Sequence, residues 1–104
     1  MYFVNAREKE IIDLVKDVLL KRLGPSRIIL FGSRAKKDHD KHSDFDFAID
    51  CQKPDLSLQR ELTEKIDKVR GLYKVDLVYL NSVDEEFRKI ILETGELIYE
   101  QKGN

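Results

Sequence analysis

Residues 44–50 read DFDFAID, and this stretch restricts the fold more than any other in the chain. Apolar and acidic side chains alternate at period two, the spacing of a strand with one face in a core and the other outside it. Phe45, Phe47 and Ile49 share one face, and Asp44 and Asp46 share the opposite one. A carboxylate on a strand that feeds a core is costly unless a cation meets it. The aromatic face therefore needs helices to pack against, and the acidic face needs water or positive charge. A solvated edge strand, its charges discouraging aggregation, is the plainest structure that satisfies both.

The rest of the chain supplies the helices. Ile11, Ile12, Leu14, Val15, Val18, Leu19 and Leu23 recur at helical spacing across residues 6–23, and Gly24-Pro25 follows as a stop. RIILF, residues 27–31, is a short buried strand by length and branching, and residues 33–38 have room for one helical turn. Pro54-Asp55 opens a helix whose apolar face is Leu58, Leu62, Ile66 and Val69, ending near Gly71. YKVDLVYL, residues 73–80, is a third strand. SVDE, residues 82–85, fits the S-x-x-E capping box and predicts a helix from there to Gly95, burying Phe87, Ile90 and Ile91. ELIYE, residues 96–100, reads as a short strand or an extended cover. The order α-β-(short α)-β-α-β-α specifies an α/β (α+β) fold, a small mixed sheet packed with helices.

One domain spanning residues 1–104 is expected, since the length holds a single core and not two. Charged residues make up 38% and apolar ones 41%, a globular balance. The net charge of −1 carries no global signature of nucleic acid or membrane, so electrostatic recognition has to be local. Neither a signal-peptide pattern nor an apolar run of membrane-spanning length is visible, and the single cysteine, Cys51, fits a reducing compartment. A cytoplasmic location is expected. Abundant Lys and Glu with scarce Gln lean towards a thermophilic composition.

Local chemistry concentrates around the acidic strand. Gly32-Ser33 directly follows the RIILF strand, and backbone N–H groups at such a turn make an anion site that glycine lets a phosphate approach. Ser33 adds a hydroxyl and Arg34 a planar fork for phosphate oxygens. Arg34 through Ser43 holds four cations against two aspartates. Asp44 and Asp46 are about 6.5–7 Å apart at Cα on an extended strand, close enough to converge on a hard divalent ion such as Mg²⁺. Asp76, flanked by Val75 and Leu77, is a third acid inside an apolar strand pattern, and joins the pair if its strand lies beside the second one. Three such carboxylates do not all stay ionised together without a metal. A phosphate cradle with three acids is equipment for phosphoryl or nucleotidyl transfer.

Gly32-Ser33, ten intervening residues, then Asp44-Phe45-Asp46 resembles the G-S-x10-D-x-D signature of the polymerase-β-like nucleotidyltransferase superfamily. The FGSRA run and the later Asp76 resemble its minimal branch, the minimal nucleotidyltransferases (MNT). The resemblance implies the polymerase-β-like nucleotidyltransferase fold. It implies that Gly32 and Ser33, assisted by Arg34, hold the phosphates of a nucleoside triphosphate, ATP being the family's usual substrate. Asp44 and Asp46 would bind Mg²⁺, and Asp76 would hold a second ion or act as base toward the acceptor hydroxyl. Where relatives carry a further glycine after G-S-R-A, this chain has Lys36-Lys37-Asp38, and Phe45 and Phe47 replace common aliphatics.

MNT proteins resemble antitoxins paired with HEPN-type RNase toxins, and some transfer AMP to a tyrosine of the toxin. The expected function is that of a protein adenylyltransferase, with a HEPN-type protein partner, no membrane and no direct nucleic-acid contact, as a homo- or hetero-oligomer. Two alternatives differ in class: a non-catalytic module that masks its partner by contact, and a nucleotidyltransferase acting on a small molecule. His39 and His42 are read as solvated loop residues rather than zinc ligands, since no further His or Cys accompanies them. Asp50 is read as a cap before Pro54, Cys51 as packing, and Tyr73, Tyr79 and Tyr99 as core or rim aromatics.

Overall fold

The structure, a computed structural model, describes residues 6–32 and 44–102. It contains helix α1 (Ala6–Leu23), strands β1 (Arg27–Phe31) and β2 (Phe45–Ile49), helix α2 (Leu56–Val69), strand β3 (Val75–Tyr79), helix α3 (Glu85–Thr94) and strand β4 (Glu96–Glu100). The four strands form one mixed sheet in the order β3-β2-β1-β4. β1 pairs antiparallel with both β2 and β4, and β2 pairs parallel with β3. A parallel pair cannot be closed by a hairpin, and here α2 is the crossover between its strands. The architecture matches the expected α/β fold with a small mixed sheet, and ELIYE is a strand in full.

Period-two alternation divides the core between the two faces of the sheet. Ile28, Leu30, Phe45, Phe47 and Ile49 point to one face and meet Ile11, Val15 and Leu19 of α1 and Leu62 and Ile66 of α2. Phe45 and Phe47 are fully buried and stack with centroids 6.3 Å apart. Each such side chain contributes about 1.5–3 kcal/mol by leaving water. Ile29 and Ala48 point the other way, where Leu80, just after β3, and Ile91 of α3 cover them. Leu14 is exposed, because it lies on the flank of the stripe formed by Ile11, Ile12, Val15 and Leu19.

Helix ends follow the capping chemistry, with one shift from the sequence reading. Asp55 is the N-cap of α2, its carboxylate accepting from Leu58 N at 2.8 Å. The third helix begins at Glu85 rather than at Ser82, because Asp84 takes the cap and accepts from Phe87 N at 2.8 Å. Ser82 instead belongs to a turn, its N–H donating to Tyr79 O at 2.8 Å. α3 ends before Gly95, which is extended (φ −77°) rather than left-handed. Glycine is required there by proximity: a Cβ would fall 2.4 Å from Ile29 Cγ2 and 2.6 Å from Ile91 O. The missing side chain lets α3 turn directly into β4 against the sheet.

Candidate active site

Asp46 lies on the face of β2 that carries Ala48 and is neither buried nor fully exposed. Its Cα partner across the antiparallel ladder is Phe31, the last residue of β1. Gly32 follows with φ +76°, a left-handed conformation that L side chains rarely adopt. A Cβ on Gly32 would fall 2.6 Å from a carboxylate oxygen of Asp46, so the turn and the acid are in contact. Phe31 also meets Phe87 edge to face, with centroids 5.8 Å apart, and so ties the end of β1 to α3.

Asp76 is the register partner of Asp46 on the parallel neighbour β3. In-register residues on adjacent strands project to the same face, with strands about 4.8 Å apart. Asp44 stands one residue before β2 and completes the alternation. Strand order and register therefore bring the third acid to the side of the pair. The Asp46 carboxyl is pushed above the ordinary carboxylate range, first by burial, then by the negative charges of Asp76 and Asp44, with Lys74 pulling the other way. Lys74 Nζ lies 3.9 Å from the Asp76 carboxylate. Sequence reading passes over Lys74, since a lysine ahead of an apolar strand looks like any solvated charge.

Among the described residues, no group of three or more His, Cys, Asp or Glu side chains is placed to hold a metal ion, Asp44, Asp46 and Asp76 included. Mg²⁺ does not ask for such a group, since it binds through one or two carboxylates and completes its shell with waters and substrate phosphates. The donor set fits that mode. Hard oxygens share one face, and burial followed by the charges of Asp76 and Asp44 raises Asp46, a repulsion that a divalent cation relieves. Gly32 keeps the space beside Asp46 free of a side chain. Ser33 and Arg34, expected on the phosphates, lie outside the described residues, as do His39 and His42.

The other residues singled out in the sequence have structural roles. Asp50 does not cap the turn before Pro54; it pairs with Arg27 across the sheet, Nη2 to Oδ2 2.8 Å and Nε to Oδ2 2.9 Å. Cys51 packs at the edge of the main core, and burial followed by the Asp50 charge pushes its thiol up. Tyr73 stands edge to face on Phe45 with centroids 5.2 Å apart. Tyr79 is buried and Tyr99 packs against the core from β4.

Comparison with known proteins places these features in a family. The profile of the family described as "Polymerase beta, Nucleotidyltransferase" matches residues 13–104. A Haemophilus influenzae protein named "Probable protein adenylyltransferase MntA" is 30% identical over 96 residues, covering 91% of this chain and 84% of that protein. A Methanocaldococcus jannaschii relative, also named as a candidate protein adenylyltransferase, is 34% identical over 94 residues, covering 88% of this chain and 92% of its own. Among solved structures, a toxin-antitoxin with AMP-PNP superposes with a TM-score of 0.74 at 22% identity, covering 88% of this chain and 74% of that one. A chain from the complex of tri-AMPylated Shewanella oneidensis HEPN toxin with MNT antitoxin gives a TM-score of 0.61 at 26% identity, covering 91% and 71%. The glycine turn against an acidic strand, the in-register third acid and these likenesses agree, and the chain belongs to the polymerase β nucleotidyltransferase family, in its minimal branch.

Proposed function

We propose that this nucleotidyltransferase moves AMP from ATP to a hydroxyl of a protein partner, in the cytoplasm, as the antitoxin of a HEPN/MNT pair. The observation that carries the reading is the register of Asp46 with Asp76 beside the Gly32 turn. It gathers acids from two strands at the end of the sheet where the Gly32 turn leaves room beside Asp46. The names of the H. influenzae relative and the AMPylated HEPN toxin of the S. oneidensis complex support the acceptor class.

Asp44 and Asp46 would hold Mg²⁺, with Asp76 on a second ion or serving as the base. Bound there, Mg²⁺ supplies charge neutralisation to the phosphate oxygens. The chain's own residues do the positioning. The Gly32 turn, with Ser33 and Arg34, receives the β- and γ-phosphates and turns the α-phosphorus toward the acid face. The acceptor oxygen bonds to that phosphorus as the bond to the bridging oxygen breaks, and pyrophosphate leaves. The hydroxyl proton goes to Asp76 where that residue serves as the base, and otherwise to water.

Incubation with ATP, Mg²⁺ and the chain's partner should raise the partner's intact mass by one AMP or a small multiple of it. The double substitution Asp44→Ala with Asp46→Ala should remove the gain. A partner neutralised equally well by the double variant, with no change of mass in either case, would overturn the enzymatic reading.

A further inference from the structure

We propose that the outer edge of β3, with the groove between it and α2, receives the acceptor segment of the protein partner as an added strand. The inference rests on the proposed function and gives it a docking geometry. Among the described residues, β3 is an edge strand of the sheet. The phase of its backbone is fixed by two hydrogen bonds to β2, Phe45 N to Lys74 O at 2.9 Å and Leu80 N to Ile49 O at 3.0 Å. Lys74 and Leu80 therefore bond inward, and in a parallel ladder so do Asp76 and Val78. The N–H groups of Val75, Leu77 and Tyr79, and the carbonyls of Val75 and Leu77, then point to the open side.

A cavity of about 280 Å³ opens on that side. Val75, Leu77 and Tyr79 line it from β3, and Gln59 and Thr63 line it from α2. Asp76 lines the same cavity. Its side chain projects with Asp46 to the opposite face of the sheet, so an added strand, whose side chains alternate, would place one in the groove and the next beside Asp76. The volume is just under the roughly 300–1,000 Å³ of pockets that enclose a whole small ligand. It suits an extended segment that bonds along the strand edge and inserts one side chain. Main-chain bonds of this kind give affinity, while alternate side chains find pockets. A segment held this way would bring a hydroxyl of its own to Asp76.

The test uses amide hydrogen exchange with the HEPN-type partner purified from its complex with this chain, in the absence of nucleotide. On adding it, exchange at Val75, Leu77 and Tyr79 should slow by about tenfold or more, the equivalent of roughly 1.4 kcal/mol. Asp76 and Val78, already bonded inward, should change less. Two variants obstruct the groove differently: Thr63→Trp fills it, and Val75→Pro deletes an N–H that faces the edge without breaking the β2 ladder. In both, the partner's KM should rise about tenfold and carry the effect rather than kcat.

Protection of the three amides in the free, dilute chain would mean that its own residues cover the edge, and would overturn the proposal. So would a bound partner that leaves them unprotected. The exchange experiment needs no catalysis, so the two readings fail separately. AMP transfer without protection sinks the groove alone; protection without transfer sinks the enzymatic reading and leaves the docking site.

Discussion

Gly32 and Asp46 test the site most directly, because each is under a constraint that the other explains. Gly32→Ala places a methyl group 2.6 Å from the Asp46 carboxylate at a φ of +76°. A displacement of about 1 Å at a reacting centre can cost about 10²-fold in rate, and a loss of that order in AMP transfer is expected. Asp46→Asn should act in opposite directions on activity and stability. The Asp46 carboxyl is raised by burial and by Asp76 and Asp44, so its ionised form opposes folding of the metal-free chain. Its favourable contribution is full below the ordinary carboxyl value of about 3.9 and is lost as pH rises through the higher folded value. The neutral amide should therefore raise Tm of the metal-free chain at neutral pH, and the gain should vanish in acid, while transfer is lost. Thermal melts at both pH values, with and without Mg²⁺, check it. Cys51, whose thiol is raised by burial and by Asp50, should react with iodoacetamide at neutral pH more slowly in the folded chain than in urea.

Helix and strand boundaries show which signals a linear text carries. The D-x-D alternation, the apolar stripe of α1 and the third acid are legible because each is a local periodicity. The start of α3 is harder to place, for Ser82 and Asp84 are both cap formers, and the choice between them depends on the turn that Tyr79 closes. Asp84→Ala should destabilise the chain by about 1 kcal/mol, whereas Ser82→Ala should change it little, as urea midpoints will show. Pairing across the sheet is illegible in the sequence, which is why Asp50 reads there as a cap. Its partner Arg27 stands on another strand, 23 residues away. The groove beside α2 depends on β3 being an edge, and strand order is written nowhere in a single segment.

At the scale of the molecule, two layers of helix on one mixed sheet leave no core residue to spare. Phe47→Ala should cost about 3–5 kcal/mol, a large part of the roughly 5–15 kcal/mol that holds a domain together, and denaturant unfolding measures it. The central strand β1 has a further consequence, a matter of time. Its neighbours are β2, which follows it in sequence, and β4, the last of the four. A chain emerging from the ribosome presents Asp44, Asp46 and Asp76 well before residues 96–100 exist to cover the other side of β1. Through that interval Arg27–Phe31 offers one bare hydrogen-bonding edge, and until α3 arrives Ile29 has no helix above it. Gly95 shortens the exposure, because β4 follows α3 without a loop. The chemistry is thus spelled out before the seal, and one five-residue strand decides whether the nascent molecule closes on itself or on a neighbour.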